Sequence, residues 1–261
     1  MAKFALAGEE SPSHGLHRTA EEEVKAAIEG LKRLPPMEAI HEFRRATKRL
    51  RALLRLGCPD RDEESAKLYN LFKTLASKAS EARDISVRLR LLRKINGELT
   101  HPSQLIPCEH LEQRCVLQLQ MLNVRTLRAE LLTRLHVALR LLQNWPSSHP
   151  TRRDLKRALK NAETKASKAE KKARENPTTE NLHRWRRRVK TECSMRHFLR
   201  KSLVHSNGAA ARRLKKLTDL LGDDHDLALL DECVAQIRSR GKRPIRALIA
   251  DKRCKLQKQI L

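Results

Sequence analysis

Apolar residues in this chain recur every three or four positions and almost never alternate with polar ones. Leu68, Leu71, Phe72 and Leu75 form one such set; Ile40, Phe43, Leu50 and Leu54 form another. That period puts them on one face of an α-helix, so strands are not expected and the fold class is all-α. Breakers divide the runs. Ser11-Pro12-Ser13-His14-Gly15 marks residues 1–17 as a mobile lead-in, and Pro35-Pro36 stops a helix that runs from Glu22 to Arg33. A second helix starts near Met37 and ends at a capping Gly57. A third is capped by Asp60 or Asp62, and beyond a short break at Ser80 a fourth runs from Ile85 to Ile95. His101 to Pro107 reads as a connector to two further helices ending before Trp145-Pro146. A Ser147-Ser148-His149-Pro150 linker precedes a long, lysine-rich helix over Arg152 to Asn176. Three helices follow, two of them separated at Gly222, and a last one comes after Gly241-Lys242-Arg243-Pro244.

The same order of elements occurs twice. A step of 142 positions carries Ala20 onto Ala162, Pro35 onto Pro177, His41 onto His183 and Arg44 onto Arg186. It also carries Arg45 onto Arg187, Lys48 onto Lys190, Lys73 onto Lys215, Leu75 onto Leu217 and Asp84 onto Asp226. No gap is needed over this span. The chain is therefore read as two copies of one helical unit, residues 18–146 and 151–261, behind the lead-in.

Charge narrows the choice of partner. The 56 Lys and Arg residues outnumber 31 Asp and Glu, for a formal charge of +25. Residues 151–261 hold 31 of the bases and only 13 of the acids, so the excess is concentrated in the second copy. Solubility needs far less charge than this, and such a field draws polyanions. Six cysteines show no Cys-x-x-Cys pair and read as scattered reduced thiols of a cytoplasmic protein. No apolar run approaches the ~20 residues that span a bilayer, so no membrane association is expected.

The excess is also aligned. His41, Arg44, Lys48, Arg51 and Arg55 recur at spacings of 3, 4, 3 and 4, on one helix face over about 21 Å of axis. Arg45 and Arg49 flank them. The second copy repeats the stripe as His183, Arg186 and Lys190, widened by Arg184, Arg187 and Arg188, over Leu182, Trp185 and Val189. Like charges at these spacings repel by a few tenths of a kcal/mol per pair, and a bound polyanion would remove that cost. A basic helix face is often merely solvated, but two at matched positions argue for a binding surface. Guanidinium forks and mobile ammonium groups suit the oxygens of a densely charged phosphate chain. Lys73 and Lys215 match each other and extend the candidate surface.

The strings His41-x-x-Arg44-x-x-x-Lys48-Arg49-Leu50-Arg51 and His183-x-x-Arg186-x-x-x-Lys190 resemble the CHAD domain, a family named for its histidine-bearing α-helical fold. Arg83-Asp84 and Leu221-Gly222-Asp223-Asp224-His225-Asp226 fit the same pattern, and each histidine precedes its aspartate by 43 residues. Cys193, Ser194 and Ser80 depart from it. The resemblance covers about residues 20 to 255 and implies two four-helix bundles related by pseudo-twofold symmetry, with their basic helices on a shared surface. It also implies non-catalytic binding of inorganic polyphosphate through His41, Arg44, Lys48, Arg49, Arg51, His183, Arg186, Arg187 and Lys190. Association with polyphosphate granules would follow from that.

Other chemistry finds less support. Asp84 and Asp226 read as helix caps rather than metal or catalytic groups. No metal-ligand spacing, phosphate loop or nucleophile–base pair stands out, so neither a cofactor nor an enzyme activity is expected. Glu21-x-Glu23-x-Lys25 matches a triphosphate-tunnel motif, but in a helical run its side chains cannot line a barrel. The alternative is a nonspecific nucleic-acid-binding protein. An aromatic content of 3% argues against single strands, and no helix-turn-helix or finger signature argues for specific duplex reading. Weak duplex binding through charge alone remains a side activity.

Overall fold

A computed structural model describes residues 4–58, 62–99, 102–146, 149–203, 208–237 and 241–261, with 102–104 as backbone alone. Residues 1–3, the Asp60 alternative, His101 and the Ser147-Ser148 part of the linker lie outside them. Ten α-helices and no strand occur among the described residues. None of these helices is long and apolar enough to cross a membrane.

The first half holds α1 (Pro12–Arg33), α2 (Pro36–Gly57), α3 (Glu63–Lys78), α4 (Ser80–Asn96), α5 (Pro102–Met121) and α6 (Val124–Leu142). The second holds α7 (Arg152–Glu175), α8 (Thr179–Leu199), α9 (Gly208–Ala235) and α10 (Lys242–Ile260). Local chemistry sets their starts. Asp62 caps α3 by accepting from the Ser65 N–H at 2.7 Å, and Thr178 accepts from Asn181 at the head of α8. Thr151 and Asp154 form a reciprocal capping box on α7. Buried alanines then line α7 at Ala158, Ala162, Ala166, Ala169 and Ala173, which lets α8 lie close against it.

Buried apolar side chains gather into three clusters. The first joins α1, α2, α3 and α6 with the start of α7 and the end of α8, around Phe43, Phe72, Trp145 and Phe198. The second joins α4, α5, α9 and α10 through Leu92, Leu111, Leu230 and Ile245. The third seats Trp185 and Val189 of α8 between α7, Leu221 of α9 and Ile260. Two of the three clusters draw on both halves, and the repeated basic helices α2 and α8 pack directly on each other.

Four expectations are corrected. The lead-in expected over residues 1–17 is packed from Phe4 onward: Phe4, Ala5 and Leu6 are buried, and α1 already begins at Pro12 behind a Ser11 cap. Proline is compatible with a first helical turn because its missing N–H is not needed there. From Pro102 on, the connector expected over residues 101–107 belongs to α5, which carries Pro107 inside it. The break expected at Gly222 is absent, since α9 runs through it with Leu221, Leu227 and Leu230 buried on either side. One glycine costs a helix about 1 kcal/mol, which continuous burial outweighs. Asp84 and Asp226 lie inside α4 and α9, not at their starts, and serve as ion-pair partners.

Candidate functional site

The α2–α8 contact brings the repeated stripes to one place. A cleft of about 520 Å³ opens between α2, α4, α8 and α9, lined by His41, Arg83, Arg90, Arg186, Lys190 and Gly222 among others. On its floor Arg83 reaches across the repeat. Its Nη2 donates to both oxygens of Asp226 at 2.9 Å, and its Nη1 donates to Asp84 at 3.0 Å. Burial opposes the charge on Arg83, but the two carboxylates outweigh it and hold the guanidinium above its usual range. Both repeated aspartates are thereby spent on one arginine.

Among the described residues, Arg44, Lys48, Arg186 and Lys190 have no carboxylate partner of this kind. Arg186 is only 8% exposed, yet its Nε finds no hydrogen-bond partner among the described residues. Its counterpart Arg44 is half-buried and better held, donating through Nη1 to the Ala76 carbonyl and the Ser80 hydroxyl, each at 2.7 Å. Gly222, the repeat mate of Ser80, offers no hydroxyl to Arg186. Burial lowers the proton affinity of both guanidinium groups, with Asp226 and Asp84 pulling the other way.

Lys48 and Lys190 show the strain of the site most plainly. Lys48 is open to water yet crowded by protein; desolvation, then Lys190, Arg44 and Arg186, push its pKa down to about 7. Desolvation and Arg186 push Lys190 down to about 8. His41 stands at the cleft lip, its pKa lowered by desolvation and then by cationic neighbours. His183 lies off the cleft lining, with Nδ1 3.0 Å from Nδ1 of His225, so one ring donates and the other accepts. Desolvation and Arg186 drive His225 down to about 3. Two exposed carboxylates, Asp219 and Asp223, line the α9 side, opposite in sign to the cations of α4 and α8.

The remaining candidates divide. Arg187 is exposed beside the central group, and Arg45 is exposed but paired with Glu42 at 2.9 Å. Lys73 on α3 and Lys215 on α9 are exposed and line neither the cleft nor the smaller cavity described below. Arg49 is turned away from the site. It bonds the buried Glu23 at 2.7 Å and lies over the Phe4 ring, so it holds the first core rather than a ligand. Arg51 and Arg55 both donate to the Tyr69 hydroxyl and flank its ring at 5.1 and 5.0 Å. Arg83 and His225 are the central groups that the stripes alone do not reveal. The signal for them was the residue ahead of each repeated aspartate, Arg83 before Asp84 and His225 before Asp226.

The described geometry is that of an all-helical fold in which two repeated basic helices meet beside one cleft. The CHAD domain model matches residues 18–235, and the chain belongs to that family. The fold is similar to the crystal structure of the CHAD domain from the plant Ricinus communis. That match has a TM-score of 0.67 and 17% sequence identity, over 99% of this chain and 89% of that one. No curated protein sequence matches the chain.

Proposed function

We propose that the protein binds inorganic polyphosphate in the α2–α8 cleft, without cleaving it. The observation that carries the reading is the group of clustered cations that form no ion pair among the described residues and that the nearby aspartates offset only in part. Arg186 is buried with an unmet donor, and Lys48 and Lys190 are both held far below the ordinary lysine range by desolvation and by neighbouring cations, Lys190 and Arg44 for Lys48 and Arg186 for Lys190. An uncompensated buried charge is costly, so a fold keeps one where a ligand supplies the counter-charge. Phosphate oxygens spaced along a flexible chain meet Lys48, Lys190 and Arg186 together, whereas a duplex is too wide to enter the concavity. Asp84 and Asp226 are already bound to Arg83, and Asp219 and Asp223 stand exposed on the α9 side, a division that favours holding an anion over activating a metal-bound water. A cytoplasmic location, with association with polyphosphate granules, accords with that ligand.

Competition tests the reading. Long-chain polyphosphate should displace a labelled duplex DNA at far lower phosphate concentration than the DNA displaces polyphosphate, and its affinity should fall steeply with salt. Equal competition would favour general polyanion binding on the open surface. Incubation with magnesium should release no phosphate.

A further inference from the structure

A second cavity, of about 130 Å³, lies on another side of α8, enclosed by the C-terminal half of α2 and by α7. Its walls carry Arg55, Lys165 and Arg188, with Asn161 and Thr191 between them. Arg55 is fixed in place: it donates to the Thr191 hydroxyl at 3.1 Å and to Tyr69, whose ring it covers. Lys165 and Arg188 are exposed, and neither forms an ion pair or a hydrogen bond among the described residues.

The internal repeat shows what fills the equivalent place. The 142-residue step relates Arg55 to His197, Thr191 to Arg49, Lys165 to Glu23 and Arg188 to Ala46. Around that second set the groove is occupied by the chain itself. The Phe4 ring lies 5.8 Å from His197 and from Phe198, with the Arg49 guanidinium over it at 5.7 Å. The Leu6 N–H donates to the Phe198 carbonyl at 2.8 Å, and Glu23 is buried against Arg49. In the open counterpart the acid has become Lys165 and the alanine Arg188. A groove that takes an aromatic plug in one half is lined with cations in the other.

We propose that the cavity walled by Arg55, Lys165 and Arg188 is a phosphoryl subsite, filled by free phosphate or by one unit of a polyphosphate chain leaving the central cleft. Its volume equals about four water molecules, enough for one phosphate group. Arg55 offers a preset guanidinium, Lys165 and Arg188 add charge, and Thr191 and Asn161 supply neutral polar groups. Lys48 and Arg55 lie two turns apart on α2, about 10 Å along the axis, so one extended chain can reach both sites. The chain-spanning role rests on the reading of the central cleft; the phosphate site itself does not.

The test uses Lys165→Gln with Arg188→Gln, and as control Lys156→Gln with Lys160→Gln, which remove equal charge from the opposite side of α7. All four residues are exposed, and circular dichroism verifies the helices. Orthophosphate titration should shift the Asn161 and Thr191 amide resonances in the wild type and the control, but not in the subsite variant. Chains of about 100 phosphates should bind the subsite variant about tenfold more weakly, with triphosphate affinity unchanged, because only a long chain engages both places. Orthophosphate shifts with unchanged long-chain affinity identify the free ion as the occupant. Shifts in a protein that binds no polyphosphate keep the subsite and overturn the reading of the central cleft. Absent orthophosphate shifts, or shifts equally present in the subsite variant, overturn the subsite.

Discussion

At the scale of single residues, the site is defined by charges placed where they harm the folded state. Lys48 and Lys190 titrate near 7 and 8 in the fold, against 10.5 for an ordinary lysine, so the unfolded chain binds more protons across that interval. Stability should therefore rise as pH increases from about 7 to about 10.5, and should gain nothing from these groups below that window, where both states are protonated. Replacing Lys48 and Lys190 together with Ala should flatten this rise in urea denaturation while raising stability at neutral pH. The same variant should bind polyphosphate at least tenfold more weakly, since two charge-assisted contacts are gone. A variant less stable than wild type, with unaltered affinity, would show these lysines to be structural. The helical spacing of the sequence put these residues on the candidate stripes, and both copies carry them. It misassigned Arg49 and blurred Arg51 and Arg55, whose repeat mates Thr191, Cys193 and His197 are not Lys or Arg. Cationic character kept in both copies was not enough by itself, since Lys73 and Lys215 share it and line neither cavity.

Among the elements, helix positions were legible because buried apolar faces and caps such as Asp62 and Thr151 leave strong local signals. What the sequence hid are places where packing overrides a breaker. Pro107 sits within α5 beside the buried Cys108 and Leu111, and Gly222 sits within α9, where the first copy starts a new helix at Ser80. Gly222 has a second role. A Cβ there would meet the Arg186 Nε at 3.9 Å and the Lys190 Nζ at 4.0 Å, ordinary contacts that narrow the cleft without a clash. Gly222→Ala should accordingly stabilise α9 by about 0.5–1 kcal/mol, the usual advantage of alanine over glycine in a helix interior. It should also weaken polyphosphate binding by crowding the two cations, read from paired denaturation and binding titrations. Stabilisation with unaltered affinity would place the ligand away from Gly222.

For the whole molecule, the N-terminal segment matters more than its composition suggests. Residues 4–10 tie both halves together: Arg18 of α1 donates to the Ala5 carbonyl, Arg200 donates to the Phe4 carbonyl, and Arg152 at the head of α7 reaches the Gly8 and Glu10 carbonyls. Ser, Pro and Gly near the start of the chain conceal this, because the segment makes no periodic pattern and its partners are far away in sequence. Phe4 is 6% exposed and closes the first core over Phe198, so Phe4→Ala should cost about 3 kcal/mol, the lower end for a buried phenylalanine. The central cleft is built from α2, α4, α8 and α9, and the cation that Phe4 holds, Arg49 of α2, is not on its lining. Polyphosphate affinity below the melting transition should then stay within about twofold of wild type while the urea midpoint falls, a separation expected of distant, independent sites. A parallel loss of affinity would mean that the strap also fixes the angle between α2 and α8, and that the cleft depends on the whole chain rather than on the two repeated helices that line it.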